Sequence, residues 1–568
     1  LEIVTMTVTR GTGLQAQYFN NRTLSGDPSL VRTDAAIHFN WSTGSPDALI
    51  HHTDFSARWS GQIQPLYSET YTFKTLSDDG VRLWINGKEV INDWTIHGFK
   101  ADQGTIALEA GKKYDIKMEY YQHEGLASAH LLWSSRSQAE QIVPQSQLYA
   151  PQNMVQPVNP TTAKPVAAPQ PARLAVSGTT YYVAANGSDA NPGTIDRPLQ
   201  TLQAAVNKVQ PGEQGTTIYM RGGTYNQGAW IGDNHSGTEK GRLVIQPYQN
   251  EHVTIDGAGL TIGGQYVDIK GLEIKNTPKD PAINGWGARH LRILNNTVHD
   301  IPTTGIQLIA PDINQSGDSL ISGNRVYHTN LARSAEMWGQ GISAFTANNV
   351  VSNNIVYENY GEGISVGING VIKDNIVHDN YSVEVYLSDT RNVTVEGNYI
   401  YNTGKTEFFR DDVAASGIQI ANEGAIFFQN QVGDKLNHLA IRNNTVVGGR
   451  AGFFYGDYMQ SGGMKNSEIT NNTFVGDRTT KEGLLWIQDA EHQNNVIKDN
   501  IFDRGSATVT DLTHLPDLKG GFQFNHNLWS GGTADKIATS GSDLIGDRRS
   551  MDTAALAIGA TQNSLAPL

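Results

Sequence analysis

The chain has 568 residues, room for two or more domains, and its 59 glycines and 17% charged residues are the composition of a soluble, turn-rich protein. A formal net charge of −14 argues against nucleic acid or an anionic membrane surface as partner, and a strongly anionic polymer would need a local basic patch. The absence of cysteine excludes disulfides, thiolate metal sites and a thiol nucleophile, and no apolar run is long enough to span a membrane. The opening "LEIVTMTVTR" lacks the charged start and apolar stretch of a signal peptide, so the chain is expected to begin at a processed end.

Residues 11–150 read as a run of alternating strands: "GLQAQYF" (13–19), "IHFNW" (37–41), "FSARWSGQI" (55–63), "YTFKTLSDDGVRLWINGKEVIND" (71–93), "KKYDIKMEYYQ" (112–122) and "SAHLLW" (128–133). The "NGK" at 86–88 supplies the positive-φ residues of a tight hairpin. Strands at this spacing with no helix between them predict a β-sandwich or barrel. These motifs together resemble the PA14 domain. The resemblance implies a carbohydrate-binding module, and sugar-binding members hold calcium with an Asp-Asp pair, matched here by Asp78 and Asp79. Two adjacent carboxylates on a turn suit a hard cation; equally, Asp-Asp-Gly builds a turn. Trp94 and His97 follow in a loop that can lie nearby, whereas Trp84 and Trp133 are expected in the core.

Residues 151–176, "PQNMVQPVNPTTAKPVAAPQPARLAV", are a proline-rich spacer that favours extended conformations. A strand, a turn, one helix and a strand follow over 180–227. Pro198 and Leu199 open the helix, and Leu202, Ala205 and Val206 form the apolar face that plugs the first coil.

The remainder, within 177–568, is periodic. Lines such as "LRILNNTVHD", "NVVSNNIVYEN" and "NVTVEGNYIYN" place an Asn at 296, 324, 354, 375, 398, 444, 472, 500 and 527, in steps of about 21 to 30 residues with one of 46. Each line supplies short strands that bury an apolar face only by stacking on the next. The Asn at each corner is expected to take left-handed geometry and to bond its counterpart one coil away. The pattern resembles the right-handed parallel β-helix of pectate-lyase-like proteins over roughly 178–550. The fold class is therefore all-β: a PA14-like sandwich or barrel, then a parallel β-helix solenoid with an N-terminal capping helix, ending in the closing segment "ALAIGATQNSLAPL".

Aligning the coils gives a second strand in each: "GIQLI" (305–309), "GISAF" (341–345), "GISVG" (363–367), "EVYLS" (384–388) and "GIQIA" (417–421). Period two sends Ile306, Ile342, Ile364, Val385 and Ile418 inward and Gln307, Ser343, Ser365, Tyr386 and Gln419 outward. Long excursions at 328–340, 404–416 and 422–437 flank these coils, and loops of that length are usually functional. Glu362 and Glu384 on adjacent coils, and Asp389 and Glu423 further along, form two candidate carboxylate pairs, with Glu384 expected outward. Paired carboxylates are the machinery of glycoside hydrolysis, which needs no cofactor. Tyr386, Gln419, Trp338 and Arg410 are the expected substrate contacts, with Glu336 beside Trp338. The alternative chemistry is calcium-assisted β-elimination on a uronate polymer, with Lys373, His378, Arg391 or Arg410 as base and Asp411-Asp412 as metal ligands. A third reading is a non-catalytic glycan-binding solenoid. A secreted monomer acting on a polysaccharide is the expectation, with calcium assigned to the PA14-like module.

Overall fold

The structure is a computed structural model that describes residues 11–150 and 178–546 with short interruptions, the longest at 312–316, 334–338, 424–435 and 536–543. The spacer, Glu336, Trp338, most of the 422–437 excursion and the closing segment lie outside the described residues. The chain divides into two compact units, 1–172 and 173–568.

The first unit is a pair of antiparallel sheets around one core that includes Trp59, Trp133, Tyr18, Tyr71, Tyr120, Phe55 and Phe73, all fully buried. The expected hairpin joins Val81–Ile85 to Lys88–Asp93 through Asn86 (φ 52°) and Gly87 (φ 75°). Three strands were not legible as apolar alternation: Leu30–Asp34, Lys100–Leu108 and Gln138–Ile142. Lys100–Leu108 alternates exposed and half-buried residues, polar and small ones mixed, at a sheet edge, paired along Glu69–Asp78. Trp133 is core as expected. Trp84 is not: it is half-buried, with Lys117 Nζ 3.8 Å from its ring centre.

The second unit is a right-handed solenoid of three parallel sheets with one continuous core running from Val183 to Trp529. Sheet I includes Arg292–Leu294, sheet II Thr297–His299 and sheet III Ile306–Ile309, and each strand pairs with its counterpart one coil on. The helix Leu202–Val206 buries Leu202, Ala205 and Val206. It starts later than expected, because Thr201 caps it by accepting the Ala204 amide while Leu199 bridges to Val183.

All nine corner asparagines form one buried ladder. Each after the first accepts the backbone and side-chain amides of the Asn one coil earlier, from Asn296 on Asn324 (2.9 and 2.9 Å) to Asn500 on Asn527 (3.1 and 3.0 Å), and Asn296 accepts the Leu272 amide. The left-handed residue is not the ladder Asn but the one before it: Asn295, Gly323, Asn353, Asp374, Gly397, Asn443, Asn471, Asp499 and His526 all have positive φ. That division of labour follows from sterics. The preceding residue turns the chain, leaving the Asn side chain free to point inward and satisfy amides that the corner would otherwise strand.

Candidate active site

Sheet III carries the candidate site residues. The pairing register Gln307, Ser343, Ser365, Tyr386, Gln419 holds residue for residue, and it extends to Phe454, Trp486 and His514. Two of the long excursions meet beside it. Arg333 lies 3.7 Å from the Tyr360 ring centre, and Tyr360 packs on Phe408 at 5.0 Å. Phe408 is buried within the 404–416 excursion.

Tyr386 sits at the centre of this face. Its ring packs with Val383 and Ala421, so it is 7% exposed rather than an open sugar platform. Its hydroxyl is hydrogen-bonded to Glu423, which is exposed at the end of the strand Ser416–Asn422. Burial, then the Glu423 carboxylate and more weakly Glu362, push the phenol far above its ordinary range, so Tyr386 keeps its proton. Gln419 donates from Nε2 to the Tyr458 hydroxyl at 3.2 Å. Tyr458 is half exposed, and the charges of Arg450 and Arg410 both bear on it. Arg410 is exposed and donates to Ser382 Oγ at 3.2 Å, just before the strand that carries Tyr386. Arg450 Nη2 pairs with Glu482 at 2.7 Å, an interaction that raises its pKa.

The four carboxylates therefore separate. Glu362 and Glu423 both act on Tyr386. Glu384 corrects its expected orientation: it is 1% exposed and accepts Asn380 N at 3.1 Å and Asn380 Nδ2 at 2.5 Å. Parity fails there although position 384 is inside the strand Val383–Ser388, because the ladder to the next coil pairs Val383 and Val385 and skips it. Its counterpart one coil back is Gly363, where an added Cβ would lie 2.7 Å from Val377 Cγ1 and 2.8 Å from Asn380 Nδ2. Burial raises the Glu384 pKa well above the usual carboxylate range. Asp389 is fully buried in the following turn, its amide bonded to Ala421 O and its charge bearing on Tyr455. Neither expected pair faces solvent together.

Among the residues expected for elimination, only Arg410 with Asp411 and Asp412 is on this side. Lys373 ends a sheet I strand. His378 is on sheet II, stacked between Tyr357 (4.9 Å) and Tyr401 (4.5 Å), with Nδ1 on Asp379 at 2.9 Å. Arg391 lies in a turn bridged to Asn437. Asp411 and Asp412 are exposed, with Arg410 Nε 4.0 Å from Asp411 Oδ2. Among the described residues, three grouped ligating side chains occur at Asp93, His97 and Asp102, in the first unit, where Lys100 Nζ already contacts both aspartates. The Asp411-Asp412 pair thus does not fit a cation site by itself. Tyr458 and Arg450 were missed. Tyr458 follows the strand Phe453–Asp457, which aligns with Ser416–Asn422, so carrying the coil alignment one turn further would have found it.

In the first unit, Asp79 is buried and accepts the His97 amide at 3.0 Å and the His123 amide at 2.8 Å. Burial raises its pKa against those bonds. Asp78 is 7% exposed beside it.

Comparison with known proteins matches residues 11–147 to the PA14 domain, 181–331 to a Pel9A-like right-handed β-helix region and 313–484 to a right-handed β-helix region. The chain is 52% identical over 139 residues to Anti-sigma-I factor RsgI3 of Acetivibrio thermocellus, covering 24% of this chain and 21% of that protein. It is 44% identical over 86 residues to Pectate lyase PEL9 of Emericella nidulans, covering 15% of this chain and 20% of that protein. The chain thus spans about a fifth of each of these relatives. The crystal structure of pectate lyase Pel9A superposes with a TM-score of 0.33 at 15% identity, over 63% of this chain and 82% of that one. Residues 11–147 are a PA14 domain, and the chain joins it to a pectate-lyase-like right-handed parallel β-helix.

Proposed function

We propose that this is a secreted polysaccharide lyase that cleaves a uronate-containing polymer by β-elimination on the outer face of sheet III, with the PA14 domain retaining the glycan. The observation that carries this reading is the local similarity to Pectate lyase PEL9 together with the Pel9A-like region at 181–331. The geometry supports it over hydrolysis in two ways. Hydrolysis asks for two carboxylates facing each other across the scissile bond, and burial withdraws Glu384 and Asp389. Elimination asks for a cation on the uronate carboxylate and for groups that take the C5 proton and protonate the departing C4 oxygen. Arg410 is the exposed guanidinium on this face, beside Asp411, whereas Arg450 is paired with Glu482, so Arg410 is the group assigned to the uronate carboxylate. Glu423, exposed on this face, suits acceptance of the C5 proton, and the Tyr386 hydroxyl bonded to it fixes its position, while the departing C4 oxygen takes its proton from solvent. Glu362 adds negative charge beside Tyr386, and Gln419 holds Tyr458 in place.

In the PA14 domain, Asp78 and Asp79 are adjacent, and the two amide bonds on Asp79 leave it further lone pairs, which suits calcium and glycan hydroxyls. The experiment is a panel of polygalacturonate, alginate and neutral polymers, following reducing ends and the absorbance of unsaturated uronate together, with and without chelator. Reducing ends rising without absorbance overturn the lyase reading.

A further inference from the structure

Upstream of Tyr386, the same outer face carries two large aromatic rings that the proposed chemistry does not use. Trp230 and Trp286 are 51% and 50% exposed. Trp230 is in register with Thr261, Thr261 with Asn284, and Trp286 follows Asn284 by two residues, so both rings leave the same face of sheet III. Two strand spacings and two residues put their Cα atoms about 12 Å apart.

The position of Trp230 is built rather than incidental. Its amide donates to Gln203 Oε1 at 2.7 Å and its carbonyl accepts from Gln203 Nε2 at 3.2 Å, so the capping helix fixes it. Two glycines make room for the indole: a Cβ at Gly263 would lie 3.3 Å from Cη2, and one at Gly232 would lie 3.0 Å from Nε1. The ring therefore rests on bare backbone and keeps its other side to solvent. Asn284 Oδ1, on the same face, is buried and has no hydrogen-bond partner among the described residues.

We propose that Trp230 and Trp286 form a stacking platform for a pyranosyl polysaccharide, holding the chain along the solenoid axis on the N-terminal side of the Tyr386–Glu423 pair. This rests on the polysaccharide reading above. Indole faces take the C–H faces of sugar rings, and such contacts need no charge, so they suit a polymer whose carboxylates are engaged elsewhere. Four further coils separate Asn284 from Tyr386 in register, about 19 Å. The platform thus acts on long chains and not on short ones.

The test uses the full chain with Trp230→Ala/Trp286→Ala, and Trp230→Phe/Trp286→Phe as the ring-retaining control. Probes are polygalacturonate, alginate and the trimer of whichever is cleaved. The expected result is a KM for polymer raised roughly tenfold in the double alanine variant, partial restoration by phenylalanine, and trimer kinetics unchanged. Polymer binding measured by calorimetry in a Tyr386→Phe background should weaken in parallel. Unchanged binding and unchanged polymer KM overturn the platform while leaving the lyase reading intact. Weakened binding in a protein that turns over no polymer removes the lyase reading and leaves the platform. A wild-type chain that binds neither polymer overturns the platform as well.

Discussion

Asn380 donates its backbone amide to Glu384 Oε1 at 3.1 Å and its side-chain amide to Oε2 at 2.5 Å. This closes a second, shorter asparagine ladder in which Thr329 N bonds Asn359 Oδ1 and Asn359 bonds Asn380 Oδ1. The ladder ends there, since Glu384 takes both Asn380 amides. Glu384→Ala should cost about 1–3 kcal/mol by leaving the buried Asn380 backbone amide without an acceptor. Denaturant unfolding checks this, and Glu384→Gln should retain near-normal activity.

The same carboxyl makes stability pH-dependent. Burial raises its folded pKa well above 4.5, so the folded state binds the proton more tightly than the unfolded one. The favourable contribution is full below the unfolded pKa and is lost as pH rises towards the folded value. Glu384→Gln should therefore gain stability relative to wild type on going from pH 4.5 to pH 7, read as the difference in unfolding midpoint.

His130 gives the opposite sign in the PA14 domain. It is buried, with Nδ1 2.8 Å from His38 Nδ1, and burial then His38 hold its pKa well below 6.5. Stability from the neutral pair is present above the unfolded value and falls as pH drops below 6.5. The PA14 transition in a thermal scan of the full chain should move down in temperature between pH 7 and pH 5, and His130→Asn should flatten that slope.

Tyr386→Phe removes the hydroxyl bonded to Glu423 and leaves the ring packed on Val383 and Ala421. Turnover should fall by about 100-fold or more with the unfolding midpoint nearly unchanged. Arg410→Gln should instead act mainly on KM, because the exposed guanidinium is assigned to the substrate carboxylate.

Much of this architecture was legible in the chain. The ladder asparagines announce themselves because the same residue returns at the same corner of nine coils, and the outward row from Gln307 to Gln419 follows from strand parity alone. Parity misled at Glu384 because the alternation breaks inside the strand, where the ladder to the next coil pairs Val383 and Val385 and skips the residue between them. Side-chain burial was not legible either: Asp389 and Tyr386 read as surface positions until neighbouring segments are placed over them. Arg450 and Tyr458 come from a later coil, and only the register of the stacked strands carries them to Gln419.

The most direct measurement of the central claim follows polygalacturonate and alginate digestion by reducing ends and unsaturated-uronate absorbance in one reaction, for wild type and Tyr386→Phe. The two signals should rise together in wild type and fall together in the variant. Reducing ends without absorbance, or wild-type rates in Tyr386→Phe, would contradict elimination at this face of sheet III.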